Sequence, residues 1–153
     1  MAEMMSTYLA NYIAGTGSLK AAFSTTMELR IYTGTVPATA DAAVSPATVL
    51  CVVKTAVGAN NPYLQFAAPV AGLLSQTNTE TWIGTNAGST ASASFYRLVK
   101  HADVDGADDG STTPRIQGSI GTSNADMLVG SVSIAGSGGT LPVNVFNQQV
   151  QPN

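Results

Sequence analysis

Two-residue alternation, broken every few positions by glycine, proline or small polar residues, most limits what this chain can fold into. Met27, Leu29 and Ile31 fall on one side of an extended backbone and Glu28 and Arg30 on the other, as a half-buried strand requires. Gly34 and Pro37 then stop the ladder, because glycine tolerates positive φ and proline has no amide to donate. The residues that follow, 34–48, are small and include Pro37 and Pro46, which predicts an ordered excursion over the surface.

The same grammar recurs to the end of the chain. Val49 to Val53 is apolar without alternation, which predicts a strand covered on both faces. After the turn Asn60-Asn61-Pro62, the segment from Tyr63 to Phe66 predicts a strand interrupted at Pro69 to Gly72, and Glu80 to Ile83 places Trp82 at a strand edge or corner. Ala93 to His101 is rich in aromatic and β-branched residues, and Arg115 to Ile120 alternates. Met127 to Val129, Val132 to Ile134, and Leu141, Val143 and Val145 complete the series.

One helix precedes these strands. Met5, Tyr8, Leu9 and Tyr12 stand at i, i+3, i+4 and i+7, with Ile13 beside them, so residues 4–14 carry one apolar stripe. Gly15 and Gly17 end it, and a second short helical or irregular piece follows from Ser18 to Phe23. A helix this short is marginal alone and has to dock, on the chain's own sheet or on a neighbour. About eight short strands after that helix predict an all-β chain, a jelly-roll-like β-sandwich. The expected organisation is an N-terminal helix and arm over 1–26, a sandwich over 27–148 and a polar tail over 149–153.

Composition enters through charge. Asp, Glu, Lys and Arg make up 10% of the 153 residues, far below the usual value of about 25%, while 44% are apolar, which argues against disorder. A surface poor in ions suits burial against other subunits, since charged residues are depleted at interface cores. Tyr8, Tyr12, Tyr32, Pro37, Tyr63 and Trp82 are the candidate interface anchors. Basic residues are scattered singly, so no nucleic-acid stripe is expected. The start Met1-Ala2-Glu3 lacks the basic segment of a secretory signal, no apolar run approaches the roughly 20 residues that span a bilayer, and synthesis in the cytoplasm is expected. Cys51 has no partner for a disulfide and reads as a small buried hydrophobe.

The chemistry-bearing residues do not assemble a reaction centre. Asp103, Asp105, Asp108 and Asp109, in a loop with Gly106 and Gly110, could offer hard oxygens to calcium. Their spacing does not meet the EF-hand pattern, and a solvated hairpin tip accounts for the same residues. His101 is the single histidine and has neither zinc-ligand spacing nor a Gly-x-Ser-x-Gly elbow with it. Glu28 and Glu80 are isolated in sequence, and Gly136-Ser137-Gly138-Gly139 lacks the context of a phosphate loop. No catalytic residue, cofactor or metal is expected.

Three segments in order resemble a family of tailed-bacteriophage virion proteins. Leu29-Arg30-Ile31-Tyr32-Thr33-Gly34-Thr35-Val36-Pro37-Ala38, followed by Ala40-Asp41-Ala42-Ala43, is similar to that family's opening strand and loop. Ala93-Ser94-Phe95-Tyr96-Arg97-Leu98-Val99 resembles its central aromatic-Arg strand. Gly118-Ser119-Ile120-Gly121-Thr122-Ser123-Asn124-Ala125-Asp126-Met127 resembles its late Gly-Thr-Ser-Gly-Ala-Asp turn, with Asn124 where glycine is usual. The likeness covers residues 27–148 and departs from the family in the acidic loop at 103–110. It implies a capsid decoration (cement) protein with a jelly-roll domain, a homo-oligomer (dimer or trimer) on the virion surface that binds the major capsid protein. A head–tail connector, tail or fibre-associated subunit is the alternative within the virion, and a carbohydrate-binding β-sandwich is the alternative outside it.

Overall fold

The computed structural model describes residues 3–15, 17–23, 26–45, 48–55, 63–71, 73–77, 79–108, 112–143 and 146–149. Strand β1 (Met4–Met5) precedes helices α1 (Thr7–Gly15) and α2 (Leu19–Phe23). Strands β2 (Met27–Tyr32), β3 (Val49–Lys54), β4 (Leu73–Ser75), β5 (Trp82–Asn86), β6 (Ala91–Ser92) and β7 (Phe95–Lys100) follow. Then come β8 (Ile116–Gly121), β9 (Met127–Leu128), β10 (Ser133–Ile134), β11 (Gly139–Val143) and β12 (Asn147–Gln149). The chain is mainly β, with two short N-terminal helices, the second falling on the Ser18–Phe23 piece expected to be helical or irregular. The predicted turn at 60–62, Pro46 and Val145 lie outside the described residues.

An eight-stranded sheet runs β1-β8-β7-β2-β3-β5-β11, with β9 also on β8, and it does not close into a barrel. All its pairings are antiparallel except that of β9 with β8. Two small pairs, β10 with β6 and β12 with β4, stand apart from it. The segment from Tyr63 to Phe66 forms no strand, only bridges from Leu64 to Met27 and from Phe66 to Gln76.

The helix begins later than its apolar stripe because Met4 and Met5 pair with Gln117 and Ile116 at the edge of β8. Ser6 then caps α1: its Oγ accepts the Leu9 amide at 3.3 Å. The carboxylate of Asp41 receives the Thr7 amide at 3.0 Å, which places a negative charge at the helix's positive end. Both helices dock on the chain's own sheet, where Leu9, Leu19, Ala22 and Phe23 join one apolar cluster with Met27, Leu29, Ile31, Leu98 and Ile116. Leu74, Ile134 and Phe146 bring the two small strand pairs onto the same cluster.

Trp82, expected at an edge or corner, lies inside that cluster at 1% exposure. It packs against Phe146 at 5.6 Å and Phe66 at 6.4 Å between ring centres. Its indole N–H reaches Glu80 Oε2 at 2.8 Å, which satisfies the only polar atom that burial would have stranded. Tyr96 lies across Gly118 of the next strand, where a Cβ would come within 2.7 Å of the phenol oxygen. The missing side chain lets the Tyr96 hydroxyl donate to Glu3 Oε2 at 2.6 Å.

Both edges of the large sheet are blunted against further strand addition. Edge strand β11 carries Pro142, which has no amide to offer, and the outer side of β8 is shared by the two-residue strands β1 and β9. Among the described residues no helix is long and apolar enough to cross a membrane.

Strand β2 is buried on both faces, not one. The reverse holds for β3, expected to be covered twice: Cys51 and Val53 are buried while Leu50 and Val52 are half-exposed. Cys51 packs so closely that a Cβ on Gly84 would lie 2.6 Å from its sulfur, and burial pushes the thiol pKa up to about 11. At pH 8 a thiol reagent should therefore label the native protein about a hundredfold more slowly than the denatured chain. Equal rates, measured by absorbance after mixing with an aromatic disulfide, would place this sulfur outside the core.

Candidate interaction surface

The second face of the sheet explains why β2 is buried twice. Glu28, Arg30 and Tyr32 point there from β2, with Arg97 directly opposite Arg30 on β7 and Gln117 opposite Arg97 on β8. Every arginine in the sequence, Arg30, Arg97 and Arg115, ends in this layer, at 9%, 0% and 2% exposure. Two loops, 33–45 and the described parts of 101–115 (101–108 and 112–115), cross over it as straps.

Partners for these cations come mostly from the straps. Arg115 donates Nε and Nη2 to the two oxygens of Asp103 at 2.6 and 2.7 Å, a bidentate pair. Arg30 donates to Glu28 Oε2 at 3.1 Å, to Asp105 Oδ2 at 3.0 Å and to the Asp103 carbonyl at 2.7 Å. The Tyr32 hydroxyl donates to Asp105 Oδ1 at 2.7 Å. Burial works against the Arg30 charge, but Asp105, Tyr32 and Glu28 outweigh it and raise its pKa. Burial likewise opposes the charge of Arg115, and Asp103 more than offsets it. Burial and then Asp105 push the Tyr32 phenol up.

Arg97 is the exception. Its Nε donates to Gln117 Oε1 at 2.8 Å and its Nη2 to the Ala42 carbonyl at 2.7 Å, both neutral acceptors. Its Nη1 finds no acceptor among the described residues. Burial, reinforced by the Arg115 cation, lowers its pKa. Gln117 Nε2 in turn donates to the Pro37 carbonyl at 2.9 Å, and Arg115 Nη1 to the Ala40 carbonyl at 3.3 Å, so the layer holds the first strap by its backbone.

The buried set of Glu28, Asp103 and Asp105 with the three arginines is electrically neutral. It removes six of the chain's fifteen charged residues from the exterior and leaves three lysines and six carboxylates, which carry the whole net charge of −3.

This geometry redraws the candidates taken from sequence. Asp103 and Asp105 do not sit in a solvated hairpin tip: they are buried, and their oxygens are occupied by guanidinium and phenol donors. Asp108 accepts the Thr113 amide at 3.0 Å, while Asp109 and Gly110 lie outside the described residues. Among the described residues no three His, Cys, Asp or Glu side chains are placed to hold a metal ion. His101 is 59% exposed at its side chain; its Nδ1 lies 2.6 Å from Glu28 Oε1 and its ring packs on Tyr63. Among the described residues no hydroxyl or thiol is hydrogen-bonded to it, so the pair orients an imidazole without presenting a nucleophile.

Of the anchor candidates, Tyr32 and Trp82 belong to the interior, because Tyr32 stacks on Phe95 at 4.7 Å and Trp82 is in the aromatic core. Tyr8, Tyr12, Pro37 and Tyr63 are half-buried, with Tyr8 and Tyr12 stacked at 6.0 Å on α1. Among the described residues the large apolar side chains that reach solvent are Met5, Val70, Leu73, Val104 and Leu128, none of them chosen as an anchor from sequence. The uninterrupted non-polar run 66–74 was the available signal for two of them. No protein-family model, curated protein or solved structure matches this chain.

Breaking a buried bidentate pair strands a carboxylate, whereas removing Arg97 strands only neutral acceptors. Arg115→Met should therefore lower stability by about 3–5 kcal/mol, and Arg97→Met by clearly less. Urea denaturation of both variants checks the order, and equal losses would refute this division of roles.

Proposed function

We propose that this chain is a tailed-bacteriophage virion structural protein, a decoration (cement) subunit that lies on the outer shell and braces neighbouring major capsid proteins. The observation that carries this reading is the charge distribution. A chain already poor in ions withdraws six of them into a neutral interior layer, so its exterior can meet other subunits with few charges to strip of water.

Two further observations support it. The three segments that resemble the virion family fall on β2 with its strap, on β7, and on the end of β8 with its turn, three adjacent strands at the heart of the large sheet. In the last of them Asn124 adopts a left-handed φ of 50°, the conformation for which the family's glycine would be suited, and Asp126 closes the turn on Ser119. The finer architecture we assign is a jelly-roll-like sandwich, with the β4/β12 and β6/β10 pairs as the second layer over the shared core.

As a dimer or trimer such a subunit would act by multivalent burial. A sheet covered on both faces at its centre, β2, holds the straps that cross it, and repetition over a shell multiplies contacts that are individually weak. A tail or connector position is the alternative, separated by copy number. A carbohydrate platform on Trp82 is disfavoured, since the indole is buried.

Purified protein mixed with empty shells, before and after expansion, should give periodic outer density in cryo-electron micrographs, with copies in the hundreds per particle. A dozen or fewer would move the chain to the tail machinery. Because so few ions line the exterior, retention on the shell should change less than about threefold between low salt and 0.5 M NaCl. A loss of tenfold or more, measured by co-sedimentation, would show that docking is ionic and overturn the charge argument.

A further inference from the structure

The hairpin over 66–76, in which Gly72 lies outside the described residues, carries an exposed apolar tip. Residues 66–74, Phe-Ala-Ala-Pro-Val-Ala-Gly-Leu-Leu, contain no polar side chain. Its base is fixed: Phe66 packs in the aromatic core, Leu74 is buried, and β4 pairs with β12. Its end is closed by reciprocal backbone bonds between Val70 and Leu73 at 3.0 and 2.9 Å. Ala68, Pro69 and Ala71 are exposed, Val70 is 74% exposed and Leu73 37%.

A second observation is independent of exposure. Ala71 adopts φ 51°, a left-handed conformation that opposes a Cβ and that glycine or asparagine tolerates far better. Asparagine there would relieve the backbone and also wet the tip. The chain has alanine instead, so the tip stays apolar at a conformational cost, as strained functional loops do.

We propose that the 66–76 hairpin is a docking knob that seats in an uncharged, apolar socket on a shell subunit, with Val70 and Leu73 filling it. This assignment rests on the virion reading above. Lipid is a poorer occupant: interfacial anchors bring aromatic and basic residues, whereas this tip has neither and the exterior is net negative. A second copy is poorer too. Even the largest apolar patch on an ordinary monomer is about 300–600 Å², short of the roughly 800 Å² each partner buries in a stable two-body interface. A lattice that repeats the socket removes that shortfall.

The test measures copies bound per expanded empty shell, at subsaturating protein, for wild type, Val70→Asn, Ala71→Asn and Val104→Asn. Val104 is the control, an equally exposed valine (82%) on the 101–115 strap. Val70→Asn should bind at least tenfold less and Val104→Asn as wild type. Ala71→Asn should bind less while its Tm rises by about 2–4 °C. Val70→Asn or Ala71→Asn binding like wild type overturns the knob and leaves the shell reading standing. Wild type that leaves the shells bare overturns both. Retention of wild type but not Val70→Asn on phosphatidylcholine vesicles reassigns the tip to lipid. A sedimenting dimer that Val70→Asn abolishes reassigns it to a second copy, and either result overturns the proposal.

Discussion

Arg30 and Arg97 stand directly opposite one another on adjacent strands, both out of water. Like charges in that position destabilise a ladder, and a buried cation without a partner costs far more. Most of the rest of the fold can be read as the answer to that constraint. Glu28 supplies one carboxylate from the same strand, and Asp103 and Asp105 supply two more from a strap some seventy residues away in sequence. Carbonyls of the other strap accept from Arg97 Nη2 and Arg115 Nη1, while Arg97 Nη1 has no acceptor among the described residues.

The layer contributes more to uniqueness than to raw stability. Buried ion pairs roughly break even against well-packed apolar residues, so hydrophobic packing on the opposite face has to supply most of the driving force. What the arginines add is register. A one-residue slip of β2 would turn Glu28 and Arg30 into the cluster of Leu29, Ile31 and Leu98, with no carboxylate or carbonyl waiting there. The same arrangement concentrates the net charge on the exterior while thinning the number of ions that carry it. Interior chemistry and exterior character are two consequences of one set of residues.

The hairpin tip departs from this economy of satisfied groups. Positive φ also falls on Gly34, Gly138 and Asn124, which suit it, on Asp105, whose amide is held by Asp103, and on Ser137 in the turn before β11. Ala71 differs from these in being apolar and exposed while it holds a φ of 51°. Local strain of this kind is tolerable because the base of the hairpin is fixed by Phe66 and by β12.

Sequence alone determined which residues share a side. Pattern and composition placed β2, β7 and β8 close to their observed bounds, the turn residues separated them, and low charge was evident, but β12 (Asn147–Gln149) fell where a polar tail was expected to begin. It did not determine what covers each side, because period two distinguishes faces without saying whether water or protein lies beyond them. Tertiary structure decided that the Glu28–Arg30 face is an interior, that Asp103 and Asp105 serve arginines, that Trp82 is enclosed, and that Val70 and Leu73 of a non-polar run reach solvent while Phe66 and Leu74 do not. Each of those outcomes depends on a contact between segments tens of residues apart. Such contacts are set by loop closure and by the competition of whole surfaces for burial, which local pattern does not encode.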